Sequence, residues 1–261
     1  MTETARSREP EAGEILPLDE RRPFLDHLEE LRRRLLRCFL WVGMGMAAAW
    51  QAAPRILEVL IRPVGHVVFL SPTEPFLVHL KAAFLGGLVL SCPLLAWEVW
   101  GFFRPALPPR GRGMILALLP LSAGLFLAGA WFGWRWLLPS ALKILLSFGG
   151  GVMQPMLTVG SYIGFASWLI IGCGLIFQMP LVVLFVAAAG WVRPATLLRH
   201  WRIAVVGILI TAAVLTPTPD IFTQLLLAGP LAGLYVISVL LALLVSFFSR
   251  ERRSDAATGE G

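Results

Sequence analysis

The chain has 261 residues, 57 % of them hydrophobic, a formal net charge of +6 and a mean hydropathy of +0.76. A soluble domain would spread its charges over a surface, whereas here they crowd between apolar runs long enough to cross about 30 Å of hydrocarbon, so the chain reads as a polytopic membrane protein. Nucleic-acid binding is a poor account of the positive charge, because the arginines sit at the ends of hydrophobic runs without interleaved exposed aromatics.

Residues 1–22 mix acidic and basic groups and lack an apolar core of signal-peptide type, so a disordered tail is expected. In the next stretch Phe24, Leu28, Leu31 and Leu35 recur at helical spacing, while Asp26, Glu29, Glu30 and Arg32 to Arg34 lie off that stripe. This pattern predicts an amphipathic helix on a membrane surface. Its plainest reading is structural, with Glu29 paired to Arg33 and Glu30 to Arg34 at i,i+4 spacing.

A first span is expected over about Leu35 to Ala53, ended by Pro54, with a short amphipathic helix around Ile56 to Leu60. Ser71-Pro72-Thr73-Glu74-Pro75-Phe76 reads as a helix start, with Thr73 as N-cap and Pro75 where no N–H is needed, opening a second span to Trp100. A basic, proline-rich turn from Gly101 to Gly113 leads to a third span over Met114 to Trp136. Leu137 to Phe148 is too short to cross and is expected to lie on the surface. The fourth span, Tyr162 to Ala189, contains Pro180. The prolines of Thr216-Pro217-Thr218-Pro219-Asp220 then separate a fifth span of only Ile203 to Leu215 from a sixth over Ile221 to Phe248, with Asp220 as a candidate cap. The expected organisation is a tail over 1–22, a six-span membrane domain over 23–248 and a second tail over 249–261.

Arginines cluster on one set of alternate loops: Arg32 to Arg34 and Arg37, then Arg104, Arg110 and Arg112, then Arg193, Arg199 and Arg202, then Arg250, Arg252 and Arg253. The opposite loops hold only Arg55, Arg62, Lys81, Arg135 and Lys143. The positive-inside rule therefore puts both termini in the cytoplasm.

Polar groups within the spans are few. Glu98 near the end of the second span could pair with Arg104, Gln178 could bond between helices beside Pro180, and Gln224 lies in the sixth span. Cys38, Cys92 and Cys173 have no metal or redox spacing, and His66, His79 and His200 stand singly. There is no H-E-x-x-H or G-x-S-x-G motif and no phosphate loop; Gly160-Ser161-Tyr162-Ile163-Gly164 has the wrong spacing for a nucleophile elbow. No catalytic residue, metal site or cofactor is expected. A small-solute transporter would need a polar cavity near the midplane, where the sequence offers only Gln178. What stands out is a set of carboxylates beside a cytoplasmic surface, suited to guanidinium ligands.

Taken in order, His27-Leu28-Glu29-Glu30-Leu31-Arg32-Arg33-Arg34-Leu35, Ser71 to Phe76, Phe102-Phe103-Arg104-Pro105-Ala106-Leu107, Phe177-Gln178-Met179-Pro180, and Leu215 to Gln224 with Pro230 resemble the TatC family, receptor subunits of the twin-arginine protein translocase. The resemblance implies an all-α fold of six transmembrane helices in a concave bundle, the fifth and sixth short, in a bacterial cytoplasmic membrane. It implies a non-enzymatic role: binding twin-arginine signal peptides and exporting folded cargo with the proton-motive force, alongside the single-span TatA and TatB proteins and further copies of itself. By the same resemblance Glu30, Arg32, Glu29, Glu98, Phe102, Pro105 and Leu107 are candidate signal-binding residues. Thr216, Gln224 and Gln178 are candidate TatA or TatB docking positions, and Pro72, Pro75, Pro180, Pro217 and Asp220 are structural. The family's loop glutamate falls at Gly111 and its sixth-helix acid at Val236, so half of the arginine clamp is missing; Glu98 or Glu29 is expected to stand in, or signal specificity is altered.

Overall fold

The computed structural model describes residues 22–106, 114–148, 156–190, 196, 199–216 and 221–258. The first helix, α1 (Arg22–Ala49), runs without interruption from the amphipathic segment into the first span, since no proline falls between Phe24 and Ala49. Its stripe residues Leu28, Leu31 and Leu35 are exposed, as suits a surface in contact with lipid. A 3₁₀ turn leads to α2 (Ala53–Ile61), with Pro54 in its first turn. Gly65, at φ +80°, then reverses the chain by donating its N–H to the Ile61 carbonyl.

The second span is α3 (Glu74–Phe103). It packs against α1 through small residues: a Cβ on Gly87 would lie 2.4 Å from the Met46 backbone nitrogen, and one on Gly45 would lie 2.2 Å from Ser91 Oγ. The backbones approach closely enough for the Ser91 hydroxyl to donate to the Trp41 carbonyl at 2.7 Å. Thr73 does not cap α3 with its side chain. Its backbone is already helical, and its hydroxyl is engaged with Ser71 Oγ at 2.9 Å.

The third span, α4 (Met114–Phe132), contains Pro120 and passes through a π turn, Gly133–Leu137, directly into α5 (Leu138–Ser147). Leu137 to Phe148 is therefore not a separate surface helix. The π turn inserts one extra residue and carries Pro139 into a fresh first turn, where its missing N–H costs nothing, and Leu138, Ala141 and Leu142 are buried in the main core. Residues Leu116–Ser147 form one continuous apolar helix.

The fourth span is split into α6 (Val159–Ile176) and α7 (Met179–Ala188), with the buried Pro180 in the first turn of α7. The fifth, α8 (Trp201–Leu215), is about 22 Å long at 1.5 Å per residue, shorter than the hydrocarbon. The sixth, α9 (Ile221–Thr258), is not short. Pro230 is accommodated inside it, and its apolar part, Ile221–Leu243, is long enough to cross a membrane, as are three other helical segments among the described residues. The helix also continues through residues expected as a tail.

Two clusters make the core. The larger joins Val78 and Leu85 of α3, Leu137 to Leu142, Ile163 to Cys173 of α6, and Leu215 and Leu227 near the adjoining ends of α8 and α9. The smaller, toward the other end, joins Ala96 and Trp100 of α3 to Leu118, Leu181, Leu184 and Phe185. At the larger cluster's end, a cap is tied across the chain. Val68 and Thr158 form a parallel bridge, the Tyr162 hydroxyl donates to the Leu60 carbonyl, and the Glu74 carboxylate accepts the N–H groups of Leu70 at 2.8 Å and Gly160 at 2.7 Å.

Candidate functional site

The antiparallel packing of α1 on α3 sets the charged first turns of α1 beside the last turn of α3. Both i,i+4 pairs read from the sequence form. Glu29 and Arg33 meet at 3.3 Å with both side chains mostly exposed, an arrangement worth little. Glu30 is different: its Oε1 accepts from Arg34 Nη2 at 2.7 Å and from Arg34 Nε at 2.9 Å, while its Oε2 has no hydrogen-bond partner among the described residues.

Arg34 reaches onward. Its Nη1 lies 3.4 Å from Glu98 Oε2 and 3.3 Å from the Glu98 carbonyl, and Arg37 Nη1 holds the other carboxylate oxygen at 3.2 Å. Glu98 is only 4 % exposed, so its charge is sustained by two guanidinium groups from α1 and not by Arg104. Gly101 makes room for this chain, since a Cβ there would lie 2.3 Å from Arg34 Nη1. The result is a line Glu30, Arg34, Glu98, Arg37 with two charges of each sign. Arg32 is exposed beside it.

An apolar shelf flanks the line. The Phe102 ring stacks on His27 at 4.5 Å and meets Phe103 at 5.4 Å, and Phe103 in turn contacts Phe185 at 5.1 Å. Pro105 is exposed in the 3₁₀ turn Arg104–Ala106 that follows α3. Leu107 and Gly111 lie outside the described residues, as do Pro217 and Asp220.

The other polar candidates are each bonded outside this line. Gln178 donates to the Ser122 carbonyl at 2.8 Å, tying the fourth span to the third, and Gln224 donates to the Leu209 carbonyl at 3.0 Å, tying α9 to α8. Thr216 is buried and its hydroxyl bonds back to the Ala212 carbonyl at 2.8 Å. Pro72 and Pro75 are exposed around the start of α3. Among the described residues no group of three or more His, Cys, Asp or Glu could hold a metal ion. Arg34, Arg37 and Gly101 were missing from the candidates; the run of arginines on α1 was visible, but nothing local connects it to a residue more than sixty positions away.

A family model described as Sec-independent protein translocase protein (TatC) matches residues 26–230. The chain belongs to the TatC family. It is 35 % identical over 243 residues to the Sec-independent protein translocase protein TatC of Koribacter versatilis, covering 89 % of each chain. To the Carboxydothermus hydrogenoformans TatC it is 35 % identical over 241 residues, covering 90 % of this chain and 99 % of that one. A crystal structure of the twin-arginine translocase receptor TatC superposes with a TM-score of 0.71 at 33 % identity, covering 84 % of this chain and 99 % of that one. The all-α, multi-span fold and the role of receptor subunit in a twin-arginine translocase follow from this membership.

Proposed function

We propose that the charged end of α1 and α3 is where this subunit receives the paired arginines of a signal peptide, with Glu30 as the direct guanidinium acceptor. The observation that carries this reading is the state of the Glu30 carboxylate: partly exposed, with Oε1 fixed by Arg34 and Oε2 without a partner among the described residues. A fixed carboxylate with one open oxygen is suited to a planar guanidinium donor. The Phe102 shelf beside it offers an apolar surface to the residues that follow the arginines, with Pro105 exposed in the next turn; Leu107 is a further apolar candidate from its place in the sequence. Glu98, with both oxygens taken, acts through Arg34 as a positioning residue. Glu29 supplies a second, exposed acid that replaces part of what Gly111 does not provide.

In this reading the charged end faces the cytoplasm of a bacterial inner membrane, as the arginine distribution favours. Folded cargo is exported with the proton-motive force. The single-span TatA and TatB proteins dock against α8 and α9 near Thr216 and Gln224, with further copies of the chain in the complex. Support for that docking face comes from the short α8 and the exposed apolar side chains Ile210, Val214, Phe222 and Leu225. A short span thins the bilayer locally or is sheltered by another helix.

Photocrosslinking of a twin-arginine signal, with a twin-lysine control, from positions adjacent to Glu30 tests the receptor site. The arginine signal is expected to crosslink and the lysine signal to fail. Equal crosslinking of both, or none of either, overturns the assignment.

A further inference from the structure

The charged line between α1 and α3 is balanced before any ligand arrives: the carboxylates of Glu30 and Glu98 face the guanidinium groups of Arg34 and Arg37. Arg34 stands in the middle and serves both carboxylates. Its Nε and Nη2 donate to Glu30 Oε1 at 2.9 and 2.7 Å, while its Nη1 donates to the Glu98 carbonyl at 3.3 Å and to Glu98 Oε2 at 3.4 Å. The shorter bonds tie Arg34 to the partly exposed carboxylate and the longer ones to the buried carboxylate.

A guanidinium that offers its fork to a carboxylate uses both carboxylate oxygens. On Glu30 an incoming arginine finds Oε2 without a partner among the described residues, but Oε1 is held twice by Arg34. Full engagement therefore requires Arg34 to release Oε1. The released guanidinium has somewhere to go, because its Nη1 already lies on Glu98. Gly101 leaves that place open, since a Cβ there would overlap Arg34 Nη1 and crowd its Cζ at 3.1 Å. Arg37 keeps the other Glu98 oxygen at 3.2 Å, so the buried carboxylate stays paired throughout.

We propose that Arg34 is an internal stand-in for a signal arginine: it occupies Glu30 in the free subunit and withdraws to Glu98 when a signal guanidinium takes its place. This autoinhibitory contact rests on the assignment of Glu30 as the arginine acceptor. The open Oε2 is the landing point, and the exchange on Oε1 completes the fork. The affinity of the free subunit is then the intrinsic affinity of Glu30 reduced by the fraction of time that Arg34 is off Oε1. Glu98 lowers the cost of that release without touching the signal.

The affinity of the full-length purified protein for a synthetic twin-arginine signal peptide, measured over a double-mutant cycle of Arg34 and Glu98 with Glu30→Gln alongside, tests this. Arg34→Gln is expected to bind about tenfold tighter than wild type, the order of one charge-assisted hydrogen bond released. Arg33→Gln removes the same charge from the neighbouring position and should tighten binding by no more than about twofold, which separates exchange from net charge. Glu98→Gln should weaken binding while Arg34 is present and have no such effect in Arg34→Gln/Glu98→Gln, a variant in which no buried carboxylate has lost a partner. No gain from Arg34→Gln in either background, equal gains from Arg34→Gln and Arg33→Gln, or an additive cycle each overturns the proposal. If Glu30→Gln lowers affinity in the same series, the acceptor assignment survives that failure; if Glu30→Gln binds as wild type does, acceptor and exchange fall together.

Discussion

The two ends of α3 each rest on a glutamate, and the partners of those glutamates differ in kind. At the capped end Glu74 accepts two backbone N–H groups, from Leu70 and Gly160, and so closes one loop on another. At the charged end Glu98 and Glu30 face guanidinium groups from α1. A carboxylate bonded to backbone amides is committed to the fold, because those donors are fixed in place by the chain path and the bonds close one loop on another. One bonded to a guanidinium side chain can exchange that guanidinium for another of the same shape and charge. The same residue type therefore builds structure at one end and is available for recognition at the other.

Substitutions that remove a partner at either end sharpen this contrast. The largest effect is expected from Glu98→Ala, which leaves Arg34 held by Glu30 alone and Arg37 unpaired; a loss of about 2–3 kcal/mol, the order of the charged hydrogen bonds removed, should appear as a lower unfolding temperature in detergent. Glu98→Gln should keep the shape and lose less. Next is Gly87→Leu, which forces apart α1 and α3 at a backbone-to-backbone contact and should cost about 2 kcal/mol by the same measurement. It should also weaken signal binding, since α1 carries Glu30 and α3 carries Glu98. A wild-type affinity in that variant would mean that the charged line does not depend on the packing of these helices.

At the capped end, Glu74→Ala frees the Leu70 and Gly160 N–H groups and should raise hydrogen exchange over residues 66–73 and 156–160, leaving signal binding untouched. Loss of signal binding in that variant would break the division between the two ends. The smallest effect is expected from Glu29→Ala. Its pair with Arg33 is exposed on both sides, so stability should change by no more than about 0.5 kcal/mol, and signal affinity should fall less than in any Glu30 variant.

Much of the fold was legible because prolines and polar turns punctuate long apolar runs. The breaks at Pro54 and Pro180 and the shortness of α8 needed only helix geometry to be seen. Three features were not legible for physical reasons. Pro139 after Trp134-Arg135-Trp136 looked like a new surface helix, since a π turn that absorbs a proline leaves no mark on composition. The contact between α1 and α3 rests on Gly45, Gly87 and Ser91; the spacing Gly87-x-x-x-Ser91 was a usable signal for a close helix pair that apolar periodicity hides. Of the site, Glu30 was legible from its motif and its i,i+4 arginine. The partners of Glu98 were not, because Arg34 and Arg37 lie 64 and 61 residues away, and only the folded helix pair brings them to it.

The measurement closest to the central claim is the affinity of the purified protein for a twin-arginine signal peptide, compared between wild type, Glu30→Gln and Glu98→Gln with a twin-lysine peptide alongside. Loss of a charged acceptor predicts a fall of about ten- to a hundredfold in Glu30→Gln, together with loss of discrimination between arginine and lysine, and a smaller fall with discrimination kept in Glu98→Gln. Unchanged affinity and discrimination in Glu30→Gln would contradict the assignment of this carboxylate as the arginine acceptor.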